Sequence, residues 1–466
     1  MAEFEAELFE KLRSKLEKHS EWHNEQYELY GGKWTPQSLG ISVSTDLDSK
    51  IEVQLDLSRI EVDFLANQLN FDVLVGDQWN LIDYLEMGNC DRVFRSAIKN
   101  SMIGSCSFVS ITPGNIEQGE PPVVYTPYTG YEATGILNSR TGKLDAGIAV
   151  DKYNEDGTPK SYLLFLPDGT YEYDEEGNIE KIYESKSGVQ LVPFVYDQDL
   201  ASRPFGRART SSAQKSLVGS AIRTLKRAEL SSEFFASPLR YIFTKADEED
   251  NDNILEVWNS TIGALLEMQT ETGVEHPEIG QLASSSPEPF IKQFNMFIEQ
   301  YAANAAMSPQ EFGVAPSNGA LSAEAEAERS KKMKDLLAEC QNAYGEAIKQ
   351  VAIHTANILG LDVVPEMLMM KTAWVQTTLD SDLGRIGDAL GKLFAAVPEL
   401  QETDIAFEKL GISKRSRIDR TGGLPDSTPA KRLSSLSDEL KQMITENSND
   451  PDNRISKLSP SDTIEE

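Results

Sequence analysis

Cysteine is scarce in this chain. Its 466 residues hold three, Cys90, Cys106 and Cys340, with no CxxC spacing and an odd total. That excludes a disulfide framework and a zinc knuckle and fits a reducing cytoplasm. Long apolar runs are missing too. Nowhere do about 18 consecutive apolar residues occur, and Met1 to Glu10 is acidic, without the basic flank and apolar core of a leader. Neither membrane spanning nor secretion is expected. Positive charge is the third scarcity: 75 acidic against 44 basic side chains leave a formal charge of −31. A chain that grips nucleic acid by neutralising phosphates is thereby excluded.

Assembled catalytic chemistry is also lacking. There is no G-x-x-x-x-G-K-[ST] loop, so the chain is not a P-loop motor. Ser212-Ala213-Gln214-Lys215 spells S-x-x-K, but neither S-D-N nor K-T-G follows, the nearest run being Lys371-Thr372-Ala373. His19 and His23 share a helix face, yet Glu21 is misplaced for a zincin, and an exposed helix surface accounts for both. Around Asn154 to Gly157 a partial calcium-loop spelling fails, because Lys152 and Leu163 stand where carboxylates are needed. No catalytic residue, metal or cofactor is expected.

What is present is a chain long enough for two or three domains, 39% hydrophobic and 26% charged, with an α+β order of elements. Phe4 to Tyr30 reads as an amphipathic helix ended by Gly31 and Gly32. Leu55 to Leu69 and Leu81 to Met102 read as two more helices. From Val123 to Tyr196 the period becomes two. Candidate strands are Ile148 to Tyr153, Ser161 to Leu166, Thr170 to Tyr173 and Val192 to Tyr196, forming an antiparallel meander. Asp156-Gly157, Pro167-Asp168-Gly169 and Glu176-Gly177-Asn178 supply its turns.

Arg203 to Arg240 then holds eight basic residues against Glu229 and Glu233 alone, a local surplus of six positive charges in an acidic protein. Leu217, Ala221, Leu225, Ala228 and Phe235 give this helix its apolar stripe, and Ser237-Pro238 ends it. Arg207, Arg209, Lys215, Arg223, Lys226 and Arg227 fall largely off that stripe. An acidic loop follows at Ala246 to Asn253, containing Asp247, Glu248, Glu249 and Asp250. Ile254 to Met268 and Pro287 to Ala306 read as helical or mixed pieces around a small inserted subdomain. Met307 to Leu321 is a polar loop. Ser322 caps a helix whose first turns carry Glu324, Glu326 and Glu328 and which runs to Gly360. Ala373 to Leu379 reads as a strand, Asp382 to Ala396 and Asp404 to Leu410 as short helices, and the remainder as a polar tail.

Two stretches carry a family resemblance. Arg203-Pro-Phe-Gly-Arg-Ala-Arg-Thr-Ser211, leading to Glu233-Phe-Phe-Ala-Ser-Pro-Leu-Arg-Tyr-Ile242, resembles the portal proteins of tailed bacteriophages. There a Y/F-G-x-[SR] turn opens a helix that closes near A-x-P-x-R. Met307-Ser-Pro-Gln-Glu-Phe-Gly313, followed by Leu321-Ser-Ala-Glu-Ala-Glu-Ala-Glu-Arg329, is similar to the family's turn, variable loop and S-[AG]-E-A helix start. The order of elements extends this over roughly residues 20 to 400, although Ala305-Ala306-Met307 is shorter than the apolar stretch of many relatives.

The resemblance implies a dodecameric ring at one capsid vertex, a channel for genome packaging and ejection. Residues 1–205 would form the wing, 206–237 a stem helix, 238–287 the clip, 288–306 a second stem helix and 307–321 a tunnel loop. A long helix and wing return would span 322–381, a crown 382–410 and a tail 411–466. Ser308, Gln310, Ser317 and Asn318 would face DNA in the tunnel loop. The six basic residues from Arg207 to Arg227 would belong to the stem, pairing between subunits in preference to facing DNA.

Implied partners are further copies of the chain, the large terminase, a head-tail adaptor, the major capsid protein and scaffold, and non-specific duplex DNA in transit. The place is the virion's portal vertex, reached from the host cytoplasm. Another ring-forming or scaffolding virion protein is the runner-up, and an acidic cytoplasmic enzyme the third class.

Overall fold

Apolar spacing in the first thirty residues does produce a helix, α1 (Ala2–Tyr30). In this computed structural model the residues described are 2–38, 50–184, 188–235, 240–245, 265–270, 278–281, 287–315 and 323–375, with 391–392 and 394–395. The chain divides into two units, Met1–Trp374 and Val375–Glu466. The second is described only at Val375 and at helical residues 391–392 and 394–395. The expected helices over 382–410 and the tail otherwise lie outside the described residues. No described helix is long and apolar enough to cross a membrane.

After α1 come α2 (Leu57–Ala66), β1 (Asn70–Val75), α3 (Leu81–Met87) and α4 (Cys90–Gly104). The single helix expected over Leu81 to Met102 is two. Asn89 takes a left-handed φ of 59°, a conformation asparagine tolerates better than most residues, and breaks the run.

β2 (Cys106–Pro113), which the sequence pattern does not reveal, follows, then β3 (Val123–Thr129), β4 (Ala133–Leu137) and β5 (Leu144–Tyr153). β6 (Pro159–Leu166), β7 (Gly169–Asp174), β8 (Ile179–Glu184) and β9 (Leu191–Val195) complete the series. β4 to β8 form an antiparallel meander in sequence order, while β9 leaves it to pair with β2 in a separate sheet of order β3-β2-β9. Val192 to Tyr196 is therefore not a meander strand. β2 is buried on both faces, with Ser107 and Ser110 inside, so period-two alternation is erased. Ser107 Oγ donates to the Ala97 carbonyl at 2.6 Å, which satisfies it.

α1 lies on the meander through Phe9, Leu12 and Leu16, and Phe9 stacks on Tyr173 with centroids 4.2 Å apart. The helices, β2 and β9 share the main core.

From this body α5 (Ser212–Phe235) departs. β10 (Arg240–Lys245), β11 (Leu265–Thr270) and β12 (Glu278–Gln281) form a small sheet of order β11-β10-β12, with β10 and β11 parallel and β10 and β12 antiparallel. The end of the expected helical or mixed piece at Ile254 to Met268 is thus a strand. α6 (Glu288–Asn304) returns, packed on α5.

α7 (Ala323–Ile358) has 36 residues, about 54 Å at 1.5 Å per residue. Its Tyr344, Ile348, Val351 and Ala352 enter the main core. Tyr344 Oη lies 2.8 Å from Ser101 Oγ, and Thr355 Oγ1 lies 2.9 Å from Tyr125 Oη. α8 (Pro365–Leu368) leads to β13 (Lys371–Val375), which pairs with β1.

Candidate functional site

The place where the α5–α6 pair is rooted in the body is the most specifically built polar site among the described residues. Its first requirement is a turn. Gly206 has φ +66°, and a Cβ there would stand 2.0 Å from the Tyr196 carbonyl oxygen. Only glycine fits both the conformation and the space. Beside it, the Arg207 amide donates to that same carbonyl at 3.1 Å. Asp197 pairs with Arg203 at 3.5 Å and also with Arg207.

Arg209 is expected off the apolar stripe, pairing between subunits; the structure places it inside its own chain. Its side chain is 8% exposed and Glu61 of α2 is 1% exposed, with Nε 3.3 Å from Oε1. Arg209 Nη1 donates to Tyr196 Oη at 3.0 Å and Nη2 to the Ala305 carbonyl at 2.7 Å. Around Glu61, Gln214 Nε2 donates to both carboxylate oxygens at 2.8 Å and Tyr301 Oη donates at 2.7 Å. Thr210 Oγ1 lies 3.4 Å from Glu61 and 2.8 Å from Ser58 Oγ.

Burial raises the Glu61 carboxyl, against the opposing pull of Arg209 and its hydrogen-bond donors. It also pushes the Tyr301 phenol well up, reinforced by the Glu61 charge. For Arg209 burial acts the other way, yet Tyr196 and Glu61 outweigh it and hold the guanidinium charged. One charged node therefore ties α2, the link after Gly206, the first turn of α5 and the end of α6. Breaking such a pair by removing one member costs about 3–5 kcal/mol.

Lys215 is also engaged within the chain. It pairs with Glu25 of α1 and lies 5.0 Å from the Trp34 ring centroid; the hydrogen bond from Lys215 lowers the Glu25 carboxyl. Thus Arg207, Arg209 and Lys215 compensate acidic groups of their own chain. Arg223 is half-buried with Nη2 3.4 Å from Ser220 Oγ. Lys226 is buried and Arg227 half-buried on the same helix. The packed face of α5 is centred on Gln214, Val218, Ala221 and Ile222. Leu217 and Leu225 are only half-buried, because polar Gln214 and Thr224 occupy core positions that an apolar pattern skips.

The end of α6 is closed by Ala306 at φ +56°, with Met307 N donating to Ala302 O at 2.9 Å and Ala306 N to Ala303 O at 3.3 Å. This is a Schellman motif with alanine in glycine's usual place. Beyond it a 3₁₀ turn, Pro309–Phe312, occupies the supposedly irregular loop. Met307, Pro309 and Val314 are buried, and Phe312 meets the Tyr301 ring edge-on at 5.4 Å. Ser308 is half-buried and Gln310 exposed. The described half of the loop, to residue 315, is therefore fixed to the body. Ser317 and Asn318 lie outside the described residues, as do Asp247, Glu248, Glu249 and Asp250.

Among the described residues the other catalytic or metal spellings of the sequence do not assemble. Ser212 is exposed and Lys215 is occupied by Glu25, so the S-x-x-K spelling forms no nucleophile and base. His23 is buried, not on an exposed surface, and burial followed by the His19 charge lowers it to about 4. None of the three cysteines is in a disulfide and all are buried; burial raises Cys106 to about 11 and Cys340 to about 12. Among the described residues no group of His, Cys, Asp or Glu could hold a metal ion.

Glu61, Gln214, Tyr301 and Tyr196 are absent from the sequence-based site. A signal existed for Glu61: it stands four residues from both Leu57 and Leu65, a charge on an apolar stripe.

No family model matches the chain, and no curated protein does. Among solved structures, a chain from the virion of a native gene transfer agent particle is 11% identical, with TM-score 0.41, covering 88% of this chain and 98% of that one. A chain from the neck of a native gene transfer agent particle, computed with C12 symmetry, is 13% identical with TM-score 0.44, covering 76% and 89%. Likeness this slight carries no argument on function.

Proposed function

We propose that this chain is a subunit of a phage-type portal ring, which passes duplex DNA through a central channel at one capsid vertex. One observation carries the reading. An antiparallel helix pair, α5 and α6, leaves an α+β body with a small three-stranded sheet inserted between its helices, is locked at its root by the Glu61–Arg209 node, and is followed along the chain, after a loop, by a 36-residue helix.

Physical chemistry fits the role. A channel must not bind the polymer it conducts, and each phosphate neutralised by a fixed cation adds affinity. The charge of −31 repels a phosphate backbone overall, and Arg207, Arg209 and Lys215 are already paired with acidic groups of their own chain. Terminase, adaptor, capsid and scaffold contacts belong to the same reading, as does a twelve-copy ring, and so do the DNA-facing roles of Ser308, Gln310, Ser317 and Asn318.

Negative-stain microscopy of the purified full chain, with particle mass measured in parallel, tests the proposal. Closed rings with a central hole are expected. A monomer or open assembly under every assembly condition overturns it.

A further inference from the structure

A second concave site lies far from this root in chemistry. Between α1 and the outer turns of the meander is a cavity of about 830 Å³, in the size range of sites that hold a ligand or an anchoring side chain. Tyr131, Tyr153 and Tyr162 line it, and the carboxylates of Glu17, Glu132, Glu175 and Glu176 surround them against a single cation, Arg13.

The rings do not have equal roles. Tyr162 is buried and already carries a cation, for the Arg13 guanidinium carbon is 5.4 Å from its centroid. Arg13 is held there by the Glu175 carbonyl at 3.1 Å and by Glu17 at 3.3 Å. Tyr131 and Tyr153, by contrast, are 37% and 45% exposed. The Tyr153 phenol is pushed up, by burial first and then by Glu132 and Tyr131, so that ring faces negative charge.

Two of the carboxylates are fixed in place. Glu132 Oε2 accepts from the Thr129 amide at 2.9 Å and its hydroxyl at 2.7 Å. Glu175 Oε2 accepts from Asn154 Nδ2 at 3.3 Å. Partly exposed tyrosine rings beside anchored carboxylates attract a cation by charge and by ring quadrupole together. The same surroundings repel a phosphate backbone.

We infer that this cavity docks a basic segment of a partner protein, seating an arginine or lysine side chain against Tyr131 and Tyr153 with Glu132 and Glu175 as counter-charges. The arrangement repeats what Arg13 does on Tyr162. It is independent of ring formation and of the α5–α6 root.

The test uses the full chain and a fluorescein-labelled peptide of alternating glycine and arginine, read by anisotropy at about 0.15 M salt. Saturable binding with Kd below about 1 mM is expected, and about tenfold weaker binding of the same peptide with citrulline replacing arginine. Tyr153→Leu, which keeps every carboxylate, should weaken binding about tenfold. Glu132→Gln should do likewise, whereas Glu346→Gln on the exposed side of α7 should leave binding unchanged. Near-UV circular dichroism verifies that each variant is folded; should Glu132→Gln not fold, Tyr153→Leu decides. Absence of saturable binding, equal binding of the citrulline peptide, or equal weakening by Glu346→Gln overturns the inference.

Discussion

The two ends of the α5–α6 pair are built on opposite principles. At the root, charged and polar groups are buried and each meets a fixed partner, so the pair has one orientation on the body. Towards the start of α6 the surface is apolar and open: Ile291 and Met296 are each 55% exposed. Buried polar networks specify geometry but leave nothing to offer a neighbour. Exposed apolar side chains contribute little to the isolated chain and become useful when another surface covers them. The root thus orients the pair, and under the proposed ring reading its outer part would meet a neighbouring copy.

The comparison breaks most visibly at Arg209. Arg209→Ala should lower the unfolding free energy by about 3–5 kcal/mol in denaturant melts, because Glu61 would keep its burial and lose its counter-charge. Acid gives the next effect, in the body instead of the pair. The folded-state value for His23, about 4, lies below the ordinary value near 6.5. The unfolded chain therefore binds the extra proton first, and stability present above about pH 6.5 is lost as pH falls towards 4. The loss is about 3 kcal/mol by linkage, read as the difference between native and His23→Phe melting curves across that range.

Gly206→Ala should cost about 1–3 kcal/mol or more, through left-handed backbone strain and the clash of its Cβ with the Tyr196 carbonyl. Hydrogen exchange should rise at the start of α5 more than at the start of α6 if the turn serves the root. Ala306→Gly acts the other way, relieving a left-handed alanine and stabilising the chain by about 1 kcal/mol in the same melts. The smallest effect on the isolated chain belongs to the outer part. Ile291→Ser with Met296→Ser should change subunit stability by no more than about 0.5 kcal/mol, yet lower the yield of rings in mass measurements.

Legibility in the sequence followed the same division. Where one face is apolar and the other wet, periodicity located the element: α1, the turns of the meander, α6 and the long α7 all lie where the pattern placed them. Where an element is buried on both sides or carries polar groups inward, it did not. β2 showed no alternation because both faces are covered, and α5 was assigned a face rotated from the true one because Gln214 and Thr224 point into the core. Arg209 stands out as part of a basic stretch but is assigned partners in another subunit, since sequence counts charge without showing what compensates it. Its partner Glu61 lies 148 residues earlier, beyond any local pattern. Gly206, in contrast, was marked by its motif, and the Tyr196 carbonyl supplies the physical reason.

The most direct test is a symmetry-resolved electron-microscopy reconstruction of the assembled protein. It should show a closed ring in which α5 and α6 stand beside the central channel, with Ile291 and Met296 covered by the neighbouring copy and Glu61 still paired with Arg209 inside each subunit. A reconstruction without a channel, or one leaving Ile291 and Met296 in solvent while the basic root forms the contact, would contradict it.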